Sequence, residues 1–300
     1  MNINKPKKNP KEINKILVFF NNYRGLLLSI FLKSKNFEVF NIITKKFLNI
    51  DVLKKLKKGK NFKLIKNLDS VSLIKFIKKQ NFDIIIAAGF PHLFNKEYLN
   101  LSTYGIINLH AGRLPKYRGG SPLSWQIINN EKEIGLSVIK TDSKIDHGPV
   151  ICKTRFKNLN THNIFQIQKK ANKLFLNLTL KAIKIISKNT KLKKQPFSKS
   201  YFKQRKDENS LIDFNKSALK IYNFVRALSY PYKGAFLVYR NKKFRITKCK
   251  MSKHSPNIKA GQIFKIKNNN NIFIKCKSES IMVLESKPNL KKIKKMSEYI

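Results

Sequence analysis

Three side chains of types that do chemistry lie in one stretch of this chain: Asn108, His110 and Asp146. An amide donates to a developing oxyanion, an imidazole moves a proton or stabilises charge, and a carboxylate sets the imidazole's tautomer and raises its basicity. Brought together, they are the parts needed for acyl transfer to an amine. Asn108 and His110 alone also have a plainer reading, as groups that tie down the loop after them. The stretch runs from Gly105 to Gly148 and reads GIINLHAGRLPKYRGGSPLSWQIINNEKEIGLSVIKTDSKIDHG. Elsewhere the sequence is a monotonous mix of Lys, Asn, Ile and Leu; here polar residues are varied and specifically placed.

The elements that must position them can be read from the pattern. Ile106, Ile107 and Leu109 are apolar, as a buried strand requires. Asn108 and His110 sit two apart on that strand, so they share a face. Pro115 cannot join an interior ladder, which puts them at the strand's end, where ligands bind in open α/β sheets. Leu114 to Pro122 is rich in turn formers and leads into a short apolar helix, Leu123 to Ile128. Leu136 to Ile139 reads as a strand, followed by a polar loop, Thr141 to Gly148, with Asp142, Asp146 and His147. A hairpin-like return from that strand would bring Asp146 beside His110.

Four ordered elements now carry a resemblance: Asn108 and His110; Leu114 to Gly119; Gly135 to Ser137; Asp146 with Gly148. This pattern resembles the formyltransferases that use 10-formyltetrahydrofolate, with the nearest likeness to methionyl-tRNA formyltransferases and their amino-sugar relatives. The resemblance covers residues from about 16 to 300 and is weakest before residue 80. It implies that Asn108 and His110 stabilise a tetrahedral oxyanion and that Asp146 orients His110 and helps remove the amine's proton. It implies a folate pocket bordered by Ala87, Ala88, Gly89 and Phe90, with Leu114, Thr141, Asp142 and Gly148. Arg118, Gly119 and Trp125 fall on the acceptor side. No metal is expected, because a deprotonated amine is already nucleophilic. Arg24, near a helix N-terminus, is read from its position as a candidate for an anionic substrate group or as a plain solvated Arg.

The acceptor amine stays open between two classes. A net charge of +48 suits the phosphates of methionyl-tRNA, with RNA contact through the lysines of 45–66 and the C-terminal domain. Against this, arginine occurs only at 24, 113, 118, 155, 205, 226, 240 and 245 of 64 basic residues, and the Lys, Asn and Ile excess has the look of AT-rich drift. Lys45 to Lys60 contains only Gly59, unlike the long Gly-rich insertion of tRNA enzymes. Trp125 and the stretch Tyr201 to Arg205 lean towards a nucleotide-linked amino sugar. A non-catalytic basic RNA-binding protein is a third class, which an intact Asn108, His110 and Asp146 argues against.

The remaining sequence frames this stretch. A chain of 300 residues with 42% hydrophobic content suggests one or two domains with a proper core. Cys152, Cys249 and Cys276 form no C-x-x-C pair, which suggests a reduced, cytoplasmic protein. No apolar run reaches membrane-span length, and Ile16 to Phe20 is too short for a signal-peptide core. The expected plan is a basic tail over 1–14, a catalytic domain over 15–187, a basic linker over 188–206, and a helix plus small β-module over 207–300. The catalytic domain is expected as α/β, a Rossmann-like and mostly parallel sheet. Strands at Ile16 to Phe20, Phe37 to Ile43 and Asp83 to Phe90 alternate with helices. The helix at Ser70 to Lys79 carries a stripe of Val71, Ile74 and Ile77. A long helix ends near Ser187, with a stripe of Ile164, Ile167, Ala171, Leu174, Leu178, Ala182 and Ile186. After helix Ser217 to Leu228, five short strands at turn spacing predict a β-barrel-like (OB-type) module.

Overall fold

A computed structural model describes residues 12–46, 48–57, 61–266, 269–292 and 297–299. Most of the expected basic tail, and Lys58 and Lys60 of the basic stretch, lie outside the described residues. The chain divides into two compact units, Met1–Arg118 with Gly135–Arg155 and Ala171–Tyr201, and Gly119–Ile134 with Phe156–Lys170 and Phe202–Ile300.

The first half of the chain builds β1 (Lys15–Phe19), α1 (Tyr23–Lys33), β2 (Glu38–Thr44), α2 (Ile50–Leu56), β3 (Phe62–Ile65), α3 (Val71–Gln80), β4 (Ile84–Ala87), β5 (Ile106–His110), β6 (Arg118–Gly119), α4 (Pro122–Ile128), β7 (Glu133–Lys140), β8 (Val150–Lys157) and α5 (Ile164–Ser187). Seven strands form one sheet in the order β3-β2-β1-β4-β5-β7-β8. The pairs from β3 to β5 are parallel, and β7 returns antiparallel to β5. This is the Rossmann-like, mostly parallel sheet. Parallel strands covered on both faces need continuous apolar runs, which β1 (KILVF) and β4 (IIIA) supply. The strand order reverses between β1 and β4, where ligand crevices form in such sheets.

Helix starts follow local capping chemistry. Asn22, Asn49 and Ser70 each accept backbone N–H bonds at the N-termini of α1, α2 and α3. Two stripes differ from the sequence expectation. Leu73 and Ile77 are the buried residues of α3, while Val71 in its first turn is 66% exposed. In α5 the buried position is Phe175 and not Leu174. Each shift is one or two residues, the ambiguity left when 3.6-residue periodicity is read on a chain rich in apolar side chains. Leu17, Phe19, Ile42, Leu73, Ile77, Ile85 and Ile106 belong to one buried cluster, each such side chain contributing about 1.5–3 kcal/mol of burial.

The rest of the chain builds β9 (Tyr201–Phe202), which pairs with β6, then α6 (Ala218–Leu228), β10 (Ala235–Tyr239), β11 (Lys242–Ser252), β12 (Ile263–Ile266), β13 (Asn269–Lys275), β14 (Ser280–Lys287) and β15 (Ser297–Tyr299). The six-stranded sheet runs β10-β11-β14-β13-β12-β15, antiparallel except for the β12–β15 pair. Register shifts in β11 between Ile246 and Cys249 are bulges of the kind that bend a strand in a small coiled β-module. Ile221, Val225 and Leu228 of α6 are buried with Ile246, Ile272, Ile274 and Ile281. Arg226 is only 5% exposed. It donates to Asn223 Oδ1, Asn158 Oδ1 and the carbonyls of Leu159 and His162. His162 thus serves structure through its backbone, and burial pulls the Arg226 pKa down.

Candidate active site

The strand β5 delivers Asn108 and His110 to one face at its C-terminal end, as period-2 alternation requires. The return from β7 delivers Asp146. Its carboxylate Oδ1 lies 3.3 Å from His110 Nδ1 and accepts from Asn108 Nδ2 at 3.2 Å. The three expected residues therefore meet at one oxygen. His110 and Asp146 are 5% and 10% exposed, so water screens their interaction poorly. Asp146 sits at φ +50°, a left-handed conformation that Asp tolerates better than most residues.

The second nitrogen of His110 is also engaged. Nε2 lies 2.5 Å from the Tyr117 carbonyl, which can only accept, so Nε2 carries a hydrogen. Nδ1 then faces a carboxylate that also accepts. The two atoms are matched when one proton lies between Nδ1 and Oδ1. Asn108 uses one of its two amide hydrogens on Asp146.

The loop after β5 is held by a residue whose role the sequence reading left unassigned. Ser137 stands opposite His110 in the β5–β7 ladder. Its hydroxyl, fully buried, donates to the Gly112 carbonyl at 2.8 Å and accepts from Leu114 N at 3.4 Å. Gly112 is the second such residue. A side-chain carbon there would fall 2.5 Å from His110 Nε2 and 2.7 Å from the Tyr117 carbonyl. The Gly-x-Ser and Ala-Gly signals were visible in the sequence; their contact with His110 was not.

The other expected residues are distributed as follows. Ala87 and Ala88 are buried at the end of β4, and Gly89, at φ +71°, accepts from the Asn22 side chain. Phe90 packs on Phe19, Phe94 and His92. His92 bonds Thr44 Oγ1 at 3.0 Å, and its pKa is lowered by burial and then by the Lys46 charge, against Asp69. Leu114 is buried. Thr141 Oγ1 is buried and has no hydrogen-bond partner among the described residues, so it holds a donor and acceptor for a polar ligand edge. Asp142 accepts from Lys144 N and pairs with His147 Nδ1 at 3.2 Å. Gly148 is packed so tightly against the Lys140 carbonyl that no side chain fits. The unsatisfied Thr141 hydroxyl fits a ligand with a hydrogen-bonding edge, as a folate ring has. No group of three or more His, Cys, Asp or Glu among the described residues is placed to hold a metal.

Arg24, Arg118, Gly119 and Trp125, the residues expected to meet a substrate, are each engaged within the protein. Arg24 donates to Asn172 Oδ1 and the Leu109 carbonyl and lies over the Phe175 ring at 4.9 Å. Arg118, 7% exposed, donates to Gln195 and to the carbonyls of Pro196 and Ser198. Gly119 forms β6 with Arg118. Trp125 donates its indole hydrogen to the Lys203 carbonyl and packs against Phe202 and the Arg205 guanidinium. It therefore offers a ligand only ring surface.

The chain has relatives. The family profile described as "Formyl transferase" matches residues 33–183, and "Formyl transferase, C-terminal domain" matches 205–300. The chain is 32% identical over 220 residues to the methionyl-tRNA formyltransferase of Clostridium beijerinckii, covering 73% of this chain and 71% of that one. The chain belongs to the formyl transferase family. Members of this family are enzymes, and the chain is a transferase. It is also 35% identical over 224 residues to the bifunctional polymyxin resistance protein ArnA of Wigglesworthia glossinidia brevipalpis, covering 74% of this chain but only 34% of that protein. The solved N-formyltransferase from Helicobacter canadensis, in complex with folinic acid and dTDP-3-aminofucose, shares the fold at a TM-score of 0.68 and 18% identity, covering 90% of this chain and 99% of that one. Asn108, His110 and Asp146 all lie inside the first matched region.

Proposed function

We propose that the protein transfers the formyl group of 10-formyltetrahydrofolate to the α-amino group of methionyl-tRNA, in the cytoplasm. The observation that carries formyl transfer is the meeting of Asn108, His110 and Asp146 at a buried carboxylate oxygen. When bound, the folate supplies an activated formyl group. Thr141 and the Ala87–Phe90 turn hold its ring. Asn108 gives its second amide hydrogen to the formyl oxygen as negative charge develops, a donor typically worth about 3 kcal/mol. Asp146, held through Oδ1 by Asn108 and His110, draws the proton from the attacking amine with its other oxygen; the new amide bond forms as the bond between the formyl carbon and the folate nitrogen breaks, and that nitrogen leaves with the proton as the amine of tetrahydrofolate.

The tRNA acceptor is supported by the Clostridium beijerinckii relative and by exposed lysines. Lys45, Lys46, Lys54, Lys55, Lys57, Lys63 and Lys66 are all exposed, as phosphate contacts require. A nucleotide-linked amino sugar is the second reading, favoured by the aromatic surface of Trp125 and Phe202 beside the Arg205 charge. The deciding experiment offers purified protein 10-formyltetrahydrofolate with both acceptors in competition. Formyl-methionyl-tRNA as product, with strong salt inhibition, supports the first reading. A formylated sugar with untouched tRNA supports the second, and no product from either removes both.

A further inference from the structure

Gln195 lies in the polar stretch that sequence reading treats as a linker, yet its amide is fully committed. Nε2 donates to the Asp146 carbonyl at 2.9 Å and to the Gly148 carbonyl at 2.6 Å. Oε1 accepts from Arg118 Nη2 at 2.9 Å and from Nε at 3.3 Å. The amide's orientation follows from chemistry, because flipping it would set NH2 against guanidinium donors and oxygen against two carbonyls. The bonds close a ring through the site. His110 Nε2 bonds Tyr117, whose neighbour Arg118 bonds Gln195; Gln195 bonds the Asp146 backbone, and the Asp146 carboxylate returns to His110 Nδ1. The segment that Gln195 grips needs gripping. Asp146 is held at φ +50°, a conformation that persists where the surrounding contacts fix it.

We propose that Gln195, itself anchored by Arg118, is a positioning residue that fixes the Asp146 carboxylate against His110 and Asn108. This rests on the formyl-transfer reading above for its kinetic consequence, but not for its geometric one. Gln195 touches no reacting atom; it acts through the backbone of the Asp146 turn. A displacement of the carboxylate by about 1 Å is enough to reduce turnover on the order of a hundredfold.

The test compares the full chain with Gln195→Glu, which keeps an acceptor for Arg118 but loses both donors, and Gln195→Met, which keeps length and loses both functions. Three quantities are read: kcat and KM for formyl transfer, the ¹⁵N resonances of the His110 ring without substrate, and the melting temperature. The expected result is a fall in kcat of roughly tenfold to a hundredfold in both variants. KM for 10-formyltetrahydrofolate should stay within about twofold, the His110 resonances should shift, and melting should change little. Gln195→Met guards against an effect of the new charge in Gln195→Glu. A kcat close to wild type, or unmoved His110 resonances in folded protein, overturns the assignment. If the unaltered chain transfers no formyl group, the formyl-transfer reading fails and the resonances alone decide the positioning role. Should both variants fail to fold, the same resonances in Arg118→Lys, which keeps one donor, decide it.

Discussion

Ser137 stands directly across the ladder from His110, and its buried hydroxyl bridges the Gly112 carbonyl and the Leu114 amide. One hydroxyl on β7 thereby fixes the loop that approaches the imidazole from the other side. Ser137→Ala would leave both backbone groups buried without that partner, at about 1–3 kcal/mol. Urea denaturation should show a loss in that range, accompanied by reduced turnover. Stability equal to wild type would mean that the loop finds other partners.

Gly112 reports on the same contact with the opposite balance of effects. A methyl group at this position must push His110 Nε2 or the Tyr117 carbonyl, since both lie within 2.7 Å of where it would sit. Gly112→Ala is expected to lower kcat by at least about tenfold, because the ring it displaces is the one that faces Asp146. Circular dichroism and melting should remain near wild type. An enzyme of normal turnover would show that the imidazole has slack in this direction.

These two residues also mark how far the sequence could be read. The placement of Asn108 and His110 was legible because strand alternation has a fixed period of two, and Pro115 marks where the ladder ends. The return of Asp146 was legible because a strand and a polar loop leave the chain little choice but to come back. The α/β order of the sheet, likewise, follows from uninterrupted apolar runs such as Ile84 to Ala87. The partners of Arg24 and Gln195 were not legible. Arg24 bonds Asn172, and Gln195 bonds the carbonyl of Asp146, 49 residues away. Nothing in a polar, Lys-rich segment distinguishes the one side chain that reaches back. Long-range hydrogen bonds between loops have no periodicity to announce them.

Asp207 and Arg245 make a two-pronged pair at 2.8 and 2.6 Å that ties the segment before α6 to β11. Hydrogen bonds from Arg245, followed by its charge and those of Lys233 and Lys243, hold the Asp207 carboxyl below its usual range, with burial opposing them. A folded pKa below the unfolded one means stability that is present above pH about 3.8 and lost as pH falls through the depressed folded value. Asp207 is 35% exposed, so the pair's worth is about 1 kcal/mol or less. The stability gap between wild type and Asp207→Asn should be open at pH 7 and should close at acid pH. A gap that persists unchanged at pH 2 would assign the loss to shape instead of charge.

The three thiols should be inert in the native state. Burial raises Cys249 to about 12 with help from Cys276, and raises Cys152 and Cys276 to about 11 against nearby lysines. The thiolate is the reactive form, so at pH 8 almost none is present. A disulfide reagent such as 5,5′-dithiobis(2-nitrobenzoate) should react slowly with native protein and fully once it is unfolded in guanidinium. Fast stoichiometric labelling of any one cysteine without unfolding would contradict its burial.

Asp146→Asn separates the charge of the site from its shape. An asparagine tolerates the φ of +50° at this position, and its oxygen can still accept from Asn108 Nδ2. It cannot share a proton with His110 Nδ1 or draw one from an amine. On the proposed mechanism kcat should therefore fall by about 10²–10³, while folate binding followed by fluorescence quenching stays near wild type. Asp146→Ala removes the acceptor as well, so the Asn108 amide loses its anchor, and kcat should fall at least as far with some weakening of folate binding. If Asp146→Asn turned over normally, the carboxylate would be only a spacer, and the proton would have to leave the amine by way of solvent.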